Sequence, residues 1–123
     1  MESKEEASIK LKEFHCLIAL DDPTTALREL ETVPQALRDT KINTALGKHY
    51  FRNGLKRHAI SAFRDVVRSE PKAIEAIITL ISLGVDQVEL NELIKSSCDS
   101  LPWLPIYVRA MYSKKQSKND GPD

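Results

Sequence analysis

The sequence lacks an excess of charge, a disulfide framework, a membrane span and a reaction centre. Lys plus Arg number 18 and Asp plus Glu number 18, so net charge gives no overall drive toward nucleic acid or an anionic membrane. Only two cysteines occur, Cys16 and Cys98. They lie far apart, show no metal-ligand spacing and are too few to staple a secreted scaffold. Reduced thiols are expected, and with them a soluble intracellular protein of the nucleus and cytoplasm. No basic-then-apolar leader opens the chain. The longest apolar-rich stretch, Ala73 to Val85, is interrupted by Glu75, Thr79 and Ser82 and is too short to span a bilayer.

Signals for catalysis are equally scarce. No glycine-rich phosphate loop is present, and no carboxylate pair sits in an apolar setting. His15 and Cys16 are neighbours in sequence, but adjacent helical residues point about 100° apart, so they do not form a nucleophile and base. His49 and His58 fall on different predicted helices with no third ligand at a familiar spacing, which argues against zinc. The chain reads as no enzyme, with no cofactor and no metal. Strict two-residue alternation is absent as well, so no sheet is expected.

What the sequence does carry is a succession of helix signals. Ser3 and Glu6 have the spacing of a capping box ahead of the stripe Ala7, Leu11, Phe14 and Ile18. Asp22 with Pro23 opens a second helix bearing Ala26, Leu27, Leu30 and Val33, which Pro34 ends. Asp39 or Thr40 starts a third helix with Ile42, Ala45, Leu46 and Tyr50, stopping near Asn53 and Gly54. A fourth carries Ala59, Ile60, Phe63, Val66 and Val67. Pro71 is expected to begin a fifth helix that runs through Leu83 to the break at Gly84, and Asp86 with Glu89 to open a sixth with Leu90, Leu93 and Ile94. A seventh segment follows from Trp103 to about Tyr112. Ser113 to Asp123 is polar and reads as a disordered tail.

Superposing the chain on itself aligns Leu17 with Tyr50, Ala26 with Ala59, Leu30 with Phe63 and Val33 with Val66, all at one offset of 33 residues. That is close to the period of about 34 of a tetratricopeptide repeat. The middle hairpin carries the repeat's own pattern in Leu46, Gly47, Tyr50, Ala59, Phe63 and Pro71. Gly47 and Ala59 are small enough for two helices to approach, and Tyr50 and Phe63 fill the space beside them. Asn43 departs from the pattern, which favours an aromatic there. The fold class expected is therefore all-α, antiparallel hairpins stacked as a short right-handed superhelix. The repeat domain is placed at residues 1–112, with hairpins at about 4–33, 40–69 and 72–98, a lone helix at 103–112, and the tail at 113–123. Loop lengths alone leave an ordinary helical bundle open.

Two surfaces are candidates for binding other proteins. Lys41, Lys48, Arg52, Lys56, Arg57, Arg64 and Arg68 stand against the single acid Asp65 between residues 41 and 68; Lys48, Arg52 and Arg57 are the named contacts for an acidic protein segment. The alternative is a solvated face with some pairing to neighbouring acids. Nucleic acid is not expected, because the cluster lacks exposed aromatics for stacking. The second surface is apolar: Ile78 and Ile81 on the fifth helix with Leu104, Tyr107 and Met111 on the seventh, a stripe with no following helix to cover it. That stripe predicts self-association or capture by a larger partner. Trp103 is either a binding anchor or packing.

The stretch from about Ala7 to Leu93 resembles the tetratricopeptide subunit-seven family of the anaphase-promoting complex, a ubiquitin ligase of the cell cycle. The resemblance lies in Thr40-Lys41-Ile42-Asn43, in Ala59 to Pro71, in Ala73-Ile74-Glu75-Ala76-Ile77 running on to Leu80-Ile81-Ser82-Leu83-Gly84-Val85, and in Leu30-Glu31-Thr32-Val33-Pro34. It implies a scaffold that assembles with other tetratricopeptide subunits while the ligase chemistry lies on other chains. This sequence is similar to an internal segment of that family's N-terminal half, and Lys114 to Asp123 match nothing in it. The rival function is a co-chaperone-like adaptor that clamps a peptide carboxylate, for which Asn43 and Lys48 are out of step.

Overall fold

A computed structural model describes residues 3–119. Among them the chain is all helical, with α1 at Lys4–Ala19, α2 at Pro23–Glu31, α3 at Thr40–Arg52, α4 at Lys56–Ser69, α5 at Ile74–Ser82, α6 at Gln87–Ile94 and α7 at Leu104–Asn119. Single 3-10 turns occupy Gln35–Leu37 and Lys95–Ser97. Two compact units divide between Ala62 and Phe63, inside α4.

Short polar side chains start the helices by accepting first-turn amides that have no partner within the helix. The Glu6 N–H donates to Ser3 Oγ (3.3 Å), Thr25 to Asp22 Oδ1 (3.3 Å), Ile42 to Asp39 Oδ1 (2.9 Å) and Val88 to Asp86 Oδ1 (2.7 Å). Pro23 occupies the first turn of α2, where its missing N–H costs no helical bond. The predicted starts of α1, α2, α3 and α6 are thus the observed ones. Gly54 (φ 74°) and Gly84 (φ 93°) close α3 and α5 in the left-handed region, which glycine enters without steric cost.

In the first unit α2 packs on both α1 and α3. Its interior holds Ala7, Phe14, Ala26, Leu30, Val33, Ile42, Leu46, Tyr50 and Ala59, all buried. Polar ties cross the same contacts. Lys10 Nζ meets Glu29 Oε2 at 3.0 Å, and Arg38 donates to the carbonyls of Val33 and Glu31, both at 3.0 Å. Those carbonyls lie past the last hydrogen-bonded turn of α2, so Arg38 satisfies acceptors the helix leaves open. The buried Asn43 amide donates to Arg38 O at 3.4 Å, which accounts for a polar residue where the repeat pattern favours an aromatic.

The Tyr50 hydroxyl donates to Glu31 Oε2 at 2.7 Å. Burial first, then the hydrogen bond to Glu31, pushes its pKa from 10.0 up to about 12. The folded state therefore keeps a proton that the unfolded chain releases above pH 10, so this contribution is complete below pH 10 and fades as pH rises toward 12. Tyr50→Phe is expected to cost about 1 kcal/mol at neutral pH, since Glu31 remains solvated. The gap between variant and parent should narrow above pH 10 in urea denaturation. A gap that is absent at neutral pH, or one that widens in alkali, contradicts the assignment.

The second unit differs from the sequence reading in three places. The fifth helix was expected from Pro71 through Leu83 but spans Ile74–Ser82. Pro71 and Lys72 form a turn instead, closed by Ala73 N–H donating to Glu70 O at 3.0 Å, and α5 starts after Ala73 without a side-chain cap. The seventh helix is not a lone one, because α7 packs on both α5 and α6. Nor does it stop near Tyr112: residues 113–119, expected as disordered tail, continue the helix to Asn119. Lys114, Lys115 and Gln116 are good helix formers, and two bonds tie this part down. Tyr112 OH donates to Val85 O at 2.5 Å, and Lys115 Nζ donates to Ile81 O at 2.6 Å, an acceptor near the end of α5. Residues 120–123 of the expected tail, including Gly121 and Pro122, lie outside the described residues.

Candidate protein-binding groove

A groove of about 390 Å³ in the first unit is lined by residues of α1 and α3. From α1 come Leu11, Phe14, His15 and Ile18; from α3 come Thr40, Lys41, Thr44, Ala45, Lys48, His49 and Arg52. The α1 side chains Leu11, Phe14 and Ile18 recur at helical spacing, so they share a face. Phe14 is buried while Leu11 and Ile18 are half-buried, which makes an apolar floor with Phe14 beneath it. Thr44 and Ala45 are small and leave the groove open on the α3 side. Thr44 Oγ1 donates to the Thr40 carbonyl at 2.7 Å, so its donor is used within the helix.

The rim is cationic. Lys41, Lys48 and Arg52 are exposed, no Asp or Glu lines the groove, and none of the three has an ion-pair partner among the described residues. His49 sits lower, with its ring edge-on to Phe14 at a centroid distance of 4.9 Å. Burial, then Arg52, then His15 hold its pKa below 6.5. It is neutral at physiological pH, and the charge of the groove comes from the two lysines and the arginine.

The sequence-predicted contacts separate on the structure. Lys48 and Arg52 line the groove together with Lys41, whereas Arg57 is exposed on α4 and does not. In the second unit Ile78, Tyr107 and Met111 are half-buried. Ile81 and Leu104 correct the expectation of an open apolar stripe: they are 3% and 0% exposed, and Val108 is buried with them. The helix that covers the stripe is α7 itself, folded onto α5 and α6. Trp103 is partly exposed and stacks edge-on to Tyr107, with ring centroids 6.3 Å apart. Of the residues assigned to the repeat, Leu46, Gly47, Tyr50, Ala59 and Phe63 are buried, and Pro71 is half-buried in its turn.

The apolar floor was not recognised as a binding feature from sequence. Leu11, Phe14 and Ile18 read as a core stripe, and nothing in α1 alone shows that α3 leaves part of that stripe uncovered. Among the described residues no cluster of three or more His, Cys, Asp or Glu could hold a metal ion, and no helix is long and apolar enough to cross a membrane.

No family profile matches the chain. It is similar to anaphase-promoting complex subunit 7 of Homo sapiens, 29% identical over 108 residues that cover 85% of this chain and 19% of the human protein. The subunit 7 of Mus musculus is 29% identical over 111 residues, covering 88% of this chain and 19% of the mouse protein. That of Arabidopsis thaliana is 29% identical over 119 residues, covering 88% of this chain and 21% of the plant protein. The chain spans about a fifth of the length of the curated relatives it matches. What it resembles, along most of its own length, is one segment of anaphase-promoting complex subunit 7.

Proposed function

We propose that this protein is a non-catalytic scaffold that binds other proteins as a structural component of an anaphase-promoting-complex assembly. The observation that carries the reading is the similarity to subunit 7 along 85% of this chain. The repeat supports it. Residues matched at the offset of 33 include Ala26, Ala59, Leu30, Phe63, Val33 and Val66, all buried, as tetratricopeptide hairpins require. The partners are other tetratricopeptide subunits of the complex or further copies of this chain, met in the nucleus and cytoplasm, and the protein contributes binding surface, not chemistry. The carboxylate-clamp alternative is disfavoured by Asn43, whose amide is buried and donates to Arg38 O, out of reach of a ligand carboxylate.

Affinity purification of the tagged chain from cells, read by mass spectrometry, tests the proposal. Subunits of the anaphase-promoting complex should be enriched over a tag-only control. Enrichment of chaperones without any of those subunits overturns the reading in favour of the adaptor.

A further inference from the structure

We propose that the groove between α1 and α3 receives an acidic peptide segment that carries an aliphatic side chain. The inference deepens the scaffold reading and rests on it for the partner being a protein.

Charge and shape both select this ligand. Lys41, Lys48 and Arg52 lie at intervals of two turns and then one turn of α3, so they mark out about 16 Å along one edge. An extended strand of about five residues covers that length at roughly 3.3 Å per residue. The three cations have no carboxylate partner among the described residues. Lys10, Arg64 and Arg68, by contrast, are held by Glu29, Glu89 and Asp65. An acidic segment therefore breaks no internal ion pair on arrival and relieves repulsion between neighbouring cations on one helix face. Below the rim, Leu11 and Ile18 are half-buried. An aliphatic ligand side chain set against them, with the small Thr44 and Ala45 opposite, removes apolar surface from water on both partners.

The floor also separates a peptide from a nucleic acid. A single strand bound by a basic groove gains much of its affinity from bases stacked on exposed aromatic rings. The one aromatic side chain other than histidine in this groove, Phe14, is 2% exposed and offers no open face.

Fluorescence anisotropy on the full chain tests the proposal with a labelled peptide of Asp and Glu carrying a central Leu. A second peptide has Ser in place of that Leu, and a labelled oligothymidylate serves as the nucleic-acid probe. The Leu peptide should bind and should weaken as salt rises. The Ser peptide, and the Lys48→Glu/Arg52→Glu variant with the Leu peptide, should each bind about tenfold more weakly or worse. Ala45→Trp, which fills the groove without changing charge, should weaken binding comparably, so the idea remains testable if the charge reversal disturbs folding. Arg57→Glu lies outside the groove and should change affinity by less than about twofold at physiological salt.

Equal binding of the Leu and Ser peptides, an equal loss on Arg57→Glu, tighter binding of oligothymidylate, or no peptide binding at all overturns the proposal. These measurements use the isolated chain, whereas the scaffold reading is judged by co-purification from cells. Either result can fail while the other stands.

Discussion

Ala59→Arg is expected to unfold the hairpin formed by α3 and α4. Ala59 is 0% exposed on α4, one turn after the Asn53–Leu55 connection, where the Tyr50 ring of α3 lies 5.2 Å from the His58 ring of α4. The methyl group of Ala59 is fully enclosed there. Arginine adds a long side chain that must push the helices apart or bury a guanidinium without a partner. Overpacking costs about 1–3 kcal/mol and the unpaired charge several more. Small domains have about 0.1 kcal/mol of stability per residue, so the sum approaches what a unit of this size possesses. Loss of helicity in circular dichroism, or a melt displaced by tens of degrees, is the expected reading. Ser61→Arg, on an exposed position of the same helix, should shift stability by less than about 0.5 kcal/mol. An Ala59→Arg chain that melts like the parent shows that the hairpin is not closely packed at this position, and the repeat register goes with it.

Leu104→Ala is expected to destabilise the second unit by about 3 kcal/mol. The side chain is 0% exposed at the start of α7, which packs on α5 and α6, and removing a fully buried leucine loses transfer free energy and leaves a cavity. Ile106→Ala, two residues on but 65% exposed, removes a similar volume from the solvent side and should cost less than about 0.5 kcal/mol. Urea denaturation of the pair gives the comparison directly. Equal small losses mean that α7 is detached in solution and its stripe is free to bind. A large loss at Leu104 alone means that the stripe belongs to the core and contributes no partner surface.

The helix starts were legible because each depends on residues two or three positions apart. Ser3, Asp22, Asp39 and Asp86 accept amides two or three residues downstream, and no distant part of the chain enters that decision. The buried faces were legible for a related reason: helical spacing fixes which side chains share a side, and Ala26, Leu30, Val33, Ala59, Phe63 and Val66 are buried at the spacing expected. The start of α5 was not, because Pro71 suits both the first turn of a helix and the turn before one, and the Glu70 to Ala73 hydrogen bond chose the latter.

Local pattern thus determined by itself that this chain is all helical, where most helices begin, and which faces turn inward. Tertiary structure alone decided what each inward face meets. An apolar stripe on α7 reads the same whether it awaits a partner or folds back, and only the placement of α5 and α6 against it buries Leu104 and Val108. The Tyr50 to Glu31 and Lys115 to Ile81 bonds span 19 and 34 residues, separations at which sequence spacing says nothing about distance. The groove has the same origin. Leu11 and Ile18 lie 30 to 41 residues from Lys48 and Arg52, and an apolar floor becomes a site only where a second helix sets cations beside it without covering it.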